Sequence, residues 1–228
     1  MTRRCRAIIL AALLIALAAP GAGGAAEIKI AQLYGLPYLP MHVVVERQLI
    51  AARARAAGLD VTVTPVQLSG GPTANDLLLS GKHEVKTHAA IEPFATIELA
   101  DPRARVIHAS TEELGGAHVA VVLFTGERWK TEHAAEFAVL AAAFREAIEF
   151  INAAPRAAAE IYIKREASPL TVDQVAALIG QRDRLHFTPV PHKTLRIAQF
   201  MHKAGTLKSA PDDWKDLFWE TVHDLPGS

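Results

Sequence analysis

Cysteine is all but absent from this sequence. The single Cys5 among 228 residues leaves no intrachain disulfide framework and no C-x-x-C redox or zinc-ribbon motif. Net charge is absent too: 24 Lys+Arg stand against 24 Asp+Glu, without the basic excess that a nucleic-acid binder uses to displace counterions. There is no G-x-S-x-G elbow, no Walker loop and no dinucleotide fingerprint. Apolar residues are plentiful, at 50% of the chain with 21% charged, a composition that folds rather than stays disordered. The length leaves one large domain or two small lobes open.

The amino terminus indicates the compartment. Arg3, Arg4 and Arg6 precede an uninterrupted apolar run from Ala7 to Ala19, and small residues from Pro20 to Ala26 follow. This is the pattern of a secretory signal peptide, and its apolar run is shorter than the roughly 20 residues of a spanning helix. Cleavage is expected after Ala26, placing the mature protein in the periplasm. Cys5 precedes the apolar run, whereas a lipoprotein carries its cysteine just after it. Removing residues 1–26 takes away three arginines and no acid, so 202 residues remain with 21 basic against 24 acidic side chains, a net charge of −3.

Along the mature chain, Ile28, Ile30 and Gln32-Leu33 read as a strand, followed by a turn-rich loop from Tyr34 to Pro40. A helix is expected from about Met41 to Ala57, with Val44, Leu49 and Ile50 buried and Gly58 as its stop. Leu59, Val61 and Val63 alternate with polar residues, so a second, parallel strand completes a β-α-β unit. Pro72 opens a short helix that Gly81 closes, Glu84 to Thr87 reads as a strand, and Pro93 starts a helix through Leu99. Arg105 to Ala109 is a further strand candidate. The near-continuous apolar run from His118 to Phe124 suits a strand covered on both faces. From Thr131 the pattern is helical, with Phe137, Leu140, Ala141, Phe144, Ile148 and Ile151 in one stripe. Pro155 starts another helix, and Thr171 with Gln174 matches a capping box for Val172 to Ile179. Leu195 to Ala204 and Trp214 to Val222 are shorter amphipathic stretches. The fold class is α/β with a helical C-terminal third.

Candidate chemistry is sparse. His83-Glu84-Val85-Lys86-Thr87-His88 nearly spells the zinc-peptidase motif, but histidines five apart sit about 140° round a helix and cannot grip one metal. The other eight histidines show no close pairing and read as scattered surface residues. Ser69-Gly70-Gly71 leads into a helix amino terminus, where unpaired N–H groups favour an anion. Tyr34 and Tyr38 follow the first strand, at the edge where open α/β sheets hold ligands. Each of these features also has a purely structural reading: helix initiation for the glycines, packing for the tyrosines.

Taken together, the secretion signal, the Ile28-Lys29-Ile30 strand, Gly70-Gly71 before Asn75-Asp76-Leu77-Leu78-Leu79-Ser80-Gly81, Glu92-Pro93-Phe94, and the tail from Phe200-Met201-His202-Lys203 through Trp214-Lys215-Asp216-Leu217-Phe218 resemble periplasmic substrate-binding proteins of the nitrate, sulfonate and taurine ABC-transporter group. The resemblance covers nearly all of the mature chain. It implies a two-lobed periplasmic binding fold of type II, with a small solute caught between lobes and handed to a membrane permease. Neither a cofactor, a metal nor catalysis is implied. In one respect the chain departs from the family pattern, because the family's leucine-rich helix end occurs once in each lobe and here a single copy, Leu78 to Gly81, serves both contexts.

A deletion of about a hundred residues would fit two ordinary lobes into 202 residues. On that reading residues 27–81 hold the first-lobe β-α-β unit and Gly-Gly loop, 82–116 a remnant of the second lobe, and 117–228 the return crossing and C-terminal helices. The solute, anionic or zwitterionic (nitrate, a sulfonate, taurine or similar), would contact Tyr34, Tyr38, Gly70, Gly71 and Thr73 from the first lobe, and His88, Glu92 and Pro93 from the second. Glu92 would repel an anion unless it faces away or the ligand carries a cationic group. Family members are monomers; here a strand-exchanged dimer is the alternative. Two rival readings are a truncated relic that binds nothing and a secreted enzyme without a recognisable motif.

Overall fold

The structure, a computed structural model, describes residues 26–68 and 88–228. Residues 1–25 with Cys5, and Gly70, Gly71, Thr73, His83, the helix from Pro72 and the strand at Glu84, lie outside the described residues. Strand β1 (Ala26–Gln32) pairs in parallel with β2 (Val61–Gln67), Ala26 opposite Val61 and Gln32 opposite Gln67. Ile28, Ile30 and Gln32 of β1 are buried and the residues between them are not, the two-residue period of a strand with one covered face.

The crossover is helical but broken. In place of one helix over 41–57 there are α1 (Leu39–Glu46) and α2 (Leu49–Ala56), separated by Gln48 in a left-handed conformation, φ 52°. Neither glycine nor proline marks the break. Packing accounts for it, since both short helices lie on the same long helix, α6 (Ala134–Ala153), with Arg47 over the Phe150 ring at 4.2 Å and Arg53 paired to Glu146 at 2.7 Å. Gly58 then closes α2 at φ 71°, as glycine readily does.

The remaining helices are α3 (Phe94–Leu99), α4 (Ser110–Glu113), α5 (Glu127–Glu132), α7 (Pro155–Glu166), α8 (Val172–Gly180) and α9 (Thr194–Lys203), with single 3-10 turns at Leu36–Tyr38, Trp214–Leu217 and Glu220–Val222. Both halves of the Thr171/Gln174 capping box are made. The core lies where α6, α7 and α8 cover the β-α-β unit: Leu36, Leu39 and Val43 meet Ala143, Ala147, Ile151, Ala158, Ala159 and Val175, all fully buried. Four alanines in that set let the helix axes approach closely.

Two expected strands are not formed. Arg105 to Ala109 and His118 to Phe124 are extended without a ladder, and the second is fixed by a single backbone bond, Val119 N–H to His192 O at 3.0 Å. Far from being covered on both faces, Val121, Val122 and Leu123 are exposed and Phe124 is 86% exposed. An apolar run becomes a strand only beside a partner strand, and among the described residues β1 and β2 form the one sheet. Among those same residues no helix is long and apolar enough to cross a membrane.

Candidate functional site

The loop leaving β1 is held by a buried carboxylate. Gly35 turns at φ 118°, a region open to glycine, and a Cβ there would lie 3.1 Å from Glu92 O. Its N–H donates to both oxygens of Glu166, at 2.9 and 3.0 Å. The same carboxylate accepts from His42 Nε2 at 2.8 Å and from the Tyr162 hydroxyl at 2.9 Å. Burial, with the Glu166 charge and its hydrogen bond, pushes the Tyr162 phenol far above its ordinary range. The other ring nitrogen of His42, Nδ1, has no hydrogen-bond partner among the described residues. This histidine is 2% exposed, which corrects the expectation of surface histidines.

The next N–H, that of Leu36, donates to Glu92 O at 2.9 Å. The Glu92 side chain in turn accepts from Thr96 Oγ1 at 2.7 Å and is ion-paired with Arg184. Glu92 is therefore neutralised and buried, a support for the loop rather than an open charge. Pro93 is fully buried and touches no open space, so a ligand contact there is excluded by packing. His88 Nδ1 meets Glu98 Oε1 at 2.5 Å, which fixes the ring.

Above this frame opens a cavity of about 1490 Å³ at the carboxyl edge of β1. Of the residues singled out from the sequence, Tyr38, His88 and Glu92 line it; Tyr34 does not, and is half-buried beside the loop. Burial raises the Tyr38 phenol above its ordinary value. The lining includes Gln32, 6% exposed, whose Nε2 donates to Gln67 Oε1 at 2.8 Å while its own Oε1, closed to solvent, has no partner among the described residues. One long side is the apolar stripe of α6, Phe137 to Ile148.

Several lining residues were not anticipated. Five of the ten histidines, His88, His108, His118, His186 and His192, line this one cavity, although their sequence spacing gives no hint of it. Gln32 was read only as a strand residue, and the unpaired amide oxygen depends on a tertiary environment that no local pattern encodes. Among the described residues no group of three or more His, Cys, Asp or Glu side chains is placed to hold a metal ion. No family model, curated protein or solved structure matches the chain.

Proposed function

We propose that this chain is the solute-binding component of an ABC importer, exported to the periplasm, capturing a small anionic or zwitterionic solute such as nitrate, a sulfonate or taurine and delivering it to a membrane permease. The observation that carries the reading is the cavity at the carboxyl edge of β1, with Tyr38 on its wall. Ligands of open α/β sheets bind at that edge. The role is binding without catalysis, as the sequence resemblance implies, with the fold a periplasmic binding fold whose second lobe is reduced.

Calorimetric titration of the mature chain with nitrate, taurine, short alkanesulfonates and aminopyrimidines tests the reading. Binding of any of these at micromolar concentration supports it. Absence of binding by all of them overturns it in favour of the second reading, a truncated relic, to which the exposed run from Val121 to Phe124 lends support. Adjacent permease and ATPase genes would support the transport role independently.

A further inference from the structure

The cavity's chemistry is uneven. On one side the stretch from Arg182 to His192 brings three basic groups together, with the imidazoles of His186 and His192 stacked at 6.4 Å between centroids and 24° between planes. Arg184 of the same stretch is neutralised by Glu92, whereas Arg182 forms no ion pair among the described residues. Burial, then the charges of Arg182 and His192, holds the His186 imidazole below its ordinary value.

The opposite character lies alongside. Asn152 Nδ2 donates to Phe187 O at 2.9 Å, tying α6 to the basic stretch, and Ile148 sits one helical turn before Asn152. From Ile148 back to Phe137 the apolar stripe runs about 16 Å at the rise of an α-helix. It ends where Phe137 meets the Trp219 ring edge-on at 6.3 Å. A nitrate or taurine would leave most of the 1490 Å³ unfilled, a space larger than the roughly 300–1,000 Å³ of ordinary small-molecule sites.

We propose that the cavity takes an amphipathic organic anion, its head group on Arg182, His186 and His192 and its hydrocarbon tail along α6 from Ile148 to Phe137. This rests on the reading above that the cavity is a solute site. The other charges facing the cavity leave the basic side dominant. Glu92, Glu98 and Asp101 are engaged by Arg184, His88 and Arg103 respectively, and Asp183 is the remaining acid. Arg105, His108 and His118 face in from the extended segment, and the Arg145 guanidinium donates to Thr221 O at 2.8 Å. An anion bound beside His186 favours its protonated form, so binding takes up a proton.

The test is calorimetric titration of the mature chain with acetate, butanoate, hexanoate and octanoate, beside nitrate and taurine, at about pH 7.5 and about pH 6, across the range in which histidine titrates. Each added methylene should tighten binding about four-fold, and binding should be tighter at the lower pH. Arg182→Gln and His186→Gln, both at exposed positions, should each weaken octanoate about ten-fold, and His186→Gln should reduce the pH dependence. Binding of octanol, the same tail without charge, should be unchanged in both variants. If nitrate or taurine binds while affinity is flat along the carboxylate series, the tail assignment is overturned and the solute-binding reading stands. Octanoate affinity unchanged in both variants overturns the head-group assignment. Binding by no ligand at all overturns both readings.

Discussion

Two regions of this chain are each more than half apolar and have opposite fates. In the half built from β1, α1, α2 and β2 under α6, α7 and α8, side chains such as Leu39, Val43 and Val175 are wholly withdrawn from water. In the stretch from Arg105 to Phe124, Val106 is 61%, Ile107 76% and Phe124 86% exposed. Composition is not what separates them. The first half packs α6, α7 and α8 over the β-α-β unit, whereas the second is extended on either side of the short α4, with no ladder beside it. Hydrophobic residues stabilise a fold in proportion to the area removed from water, and that area depends on partners elsewhere in the chain.

The sharpest test of the packed half is Glu166→Gln. It removes the charge that Gly35, His42 and Tyr162 converge on and turns one accepting oxygen into an NH2 group, so that two charge-assisted hydrogen bonds of about 1.5–3 kcal/mol each are lost, at an expected cost of about 3–5 kcal/mol in urea unfolding. Leu39→Ala in the same core should cost about 2–5 kcal/mol. Thr171→Ala removes the cap of α8 and should cost about 1 kcal/mol. Phe124→Ala in the open half should change stability by no more than about 0.5 kcal/mol, and light scattering should show less self-association once this exposed ring is gone. A Phe124→Ala cost as large as that of Leu39→Ala would erase the contrast between the two halves.

The smallest effect concerns an ion pair at the edge of the open half. Hydrogen bonds from the side chain and backbone of Arg103 hold the Asp101 carboxyl down at about 2. A depressed carboxylate contributes stability above its unfolded value, about 3.9, and loses it as pH falls through the folded one. Because the Arg103 side chain is 80% exposed, no measurable change in unfolding is expected from Arg103→Gln. The Asp101 midpoint, followed by NMR of its carboxyl carbon, should nevertheless move up toward the ordinary range.

What was legible in the sequence follows from the same contrast. β1, β2, the Gly58 stop and the α8 capping box are set by neighbours within a few residues, and local pattern carries them. The break at Gln48, by contrast, comes from two short helices fitting one long one, and neither residue beside it is a turn former. The run from His118 to Phe124 has the composition of a covered strand, yet nothing local states whether a partner strand exists. The site divides likewise. Tyr38 was legible because it follows a strand, while Glu166 was not, since a glutamate ending a helix ordinarily faces water. His186 and His192 were missed because their closeness arises from a loop's path, not from a motif.

Gly35 and Leu36 offer their N–H groups to different elements, the first to the end of α7 and the second to the backbone of residue 92. The loop is thus gripped twice through its backbone, and the Tyr38 side chain, a few residues on, takes no part in the grip. Contact and support are divided between separate side chains. A lineage carrying this loop could try one aromatic or polar side chain after another at position 38, changing what the cavity prefers, without loosening the frame that holds the position in place.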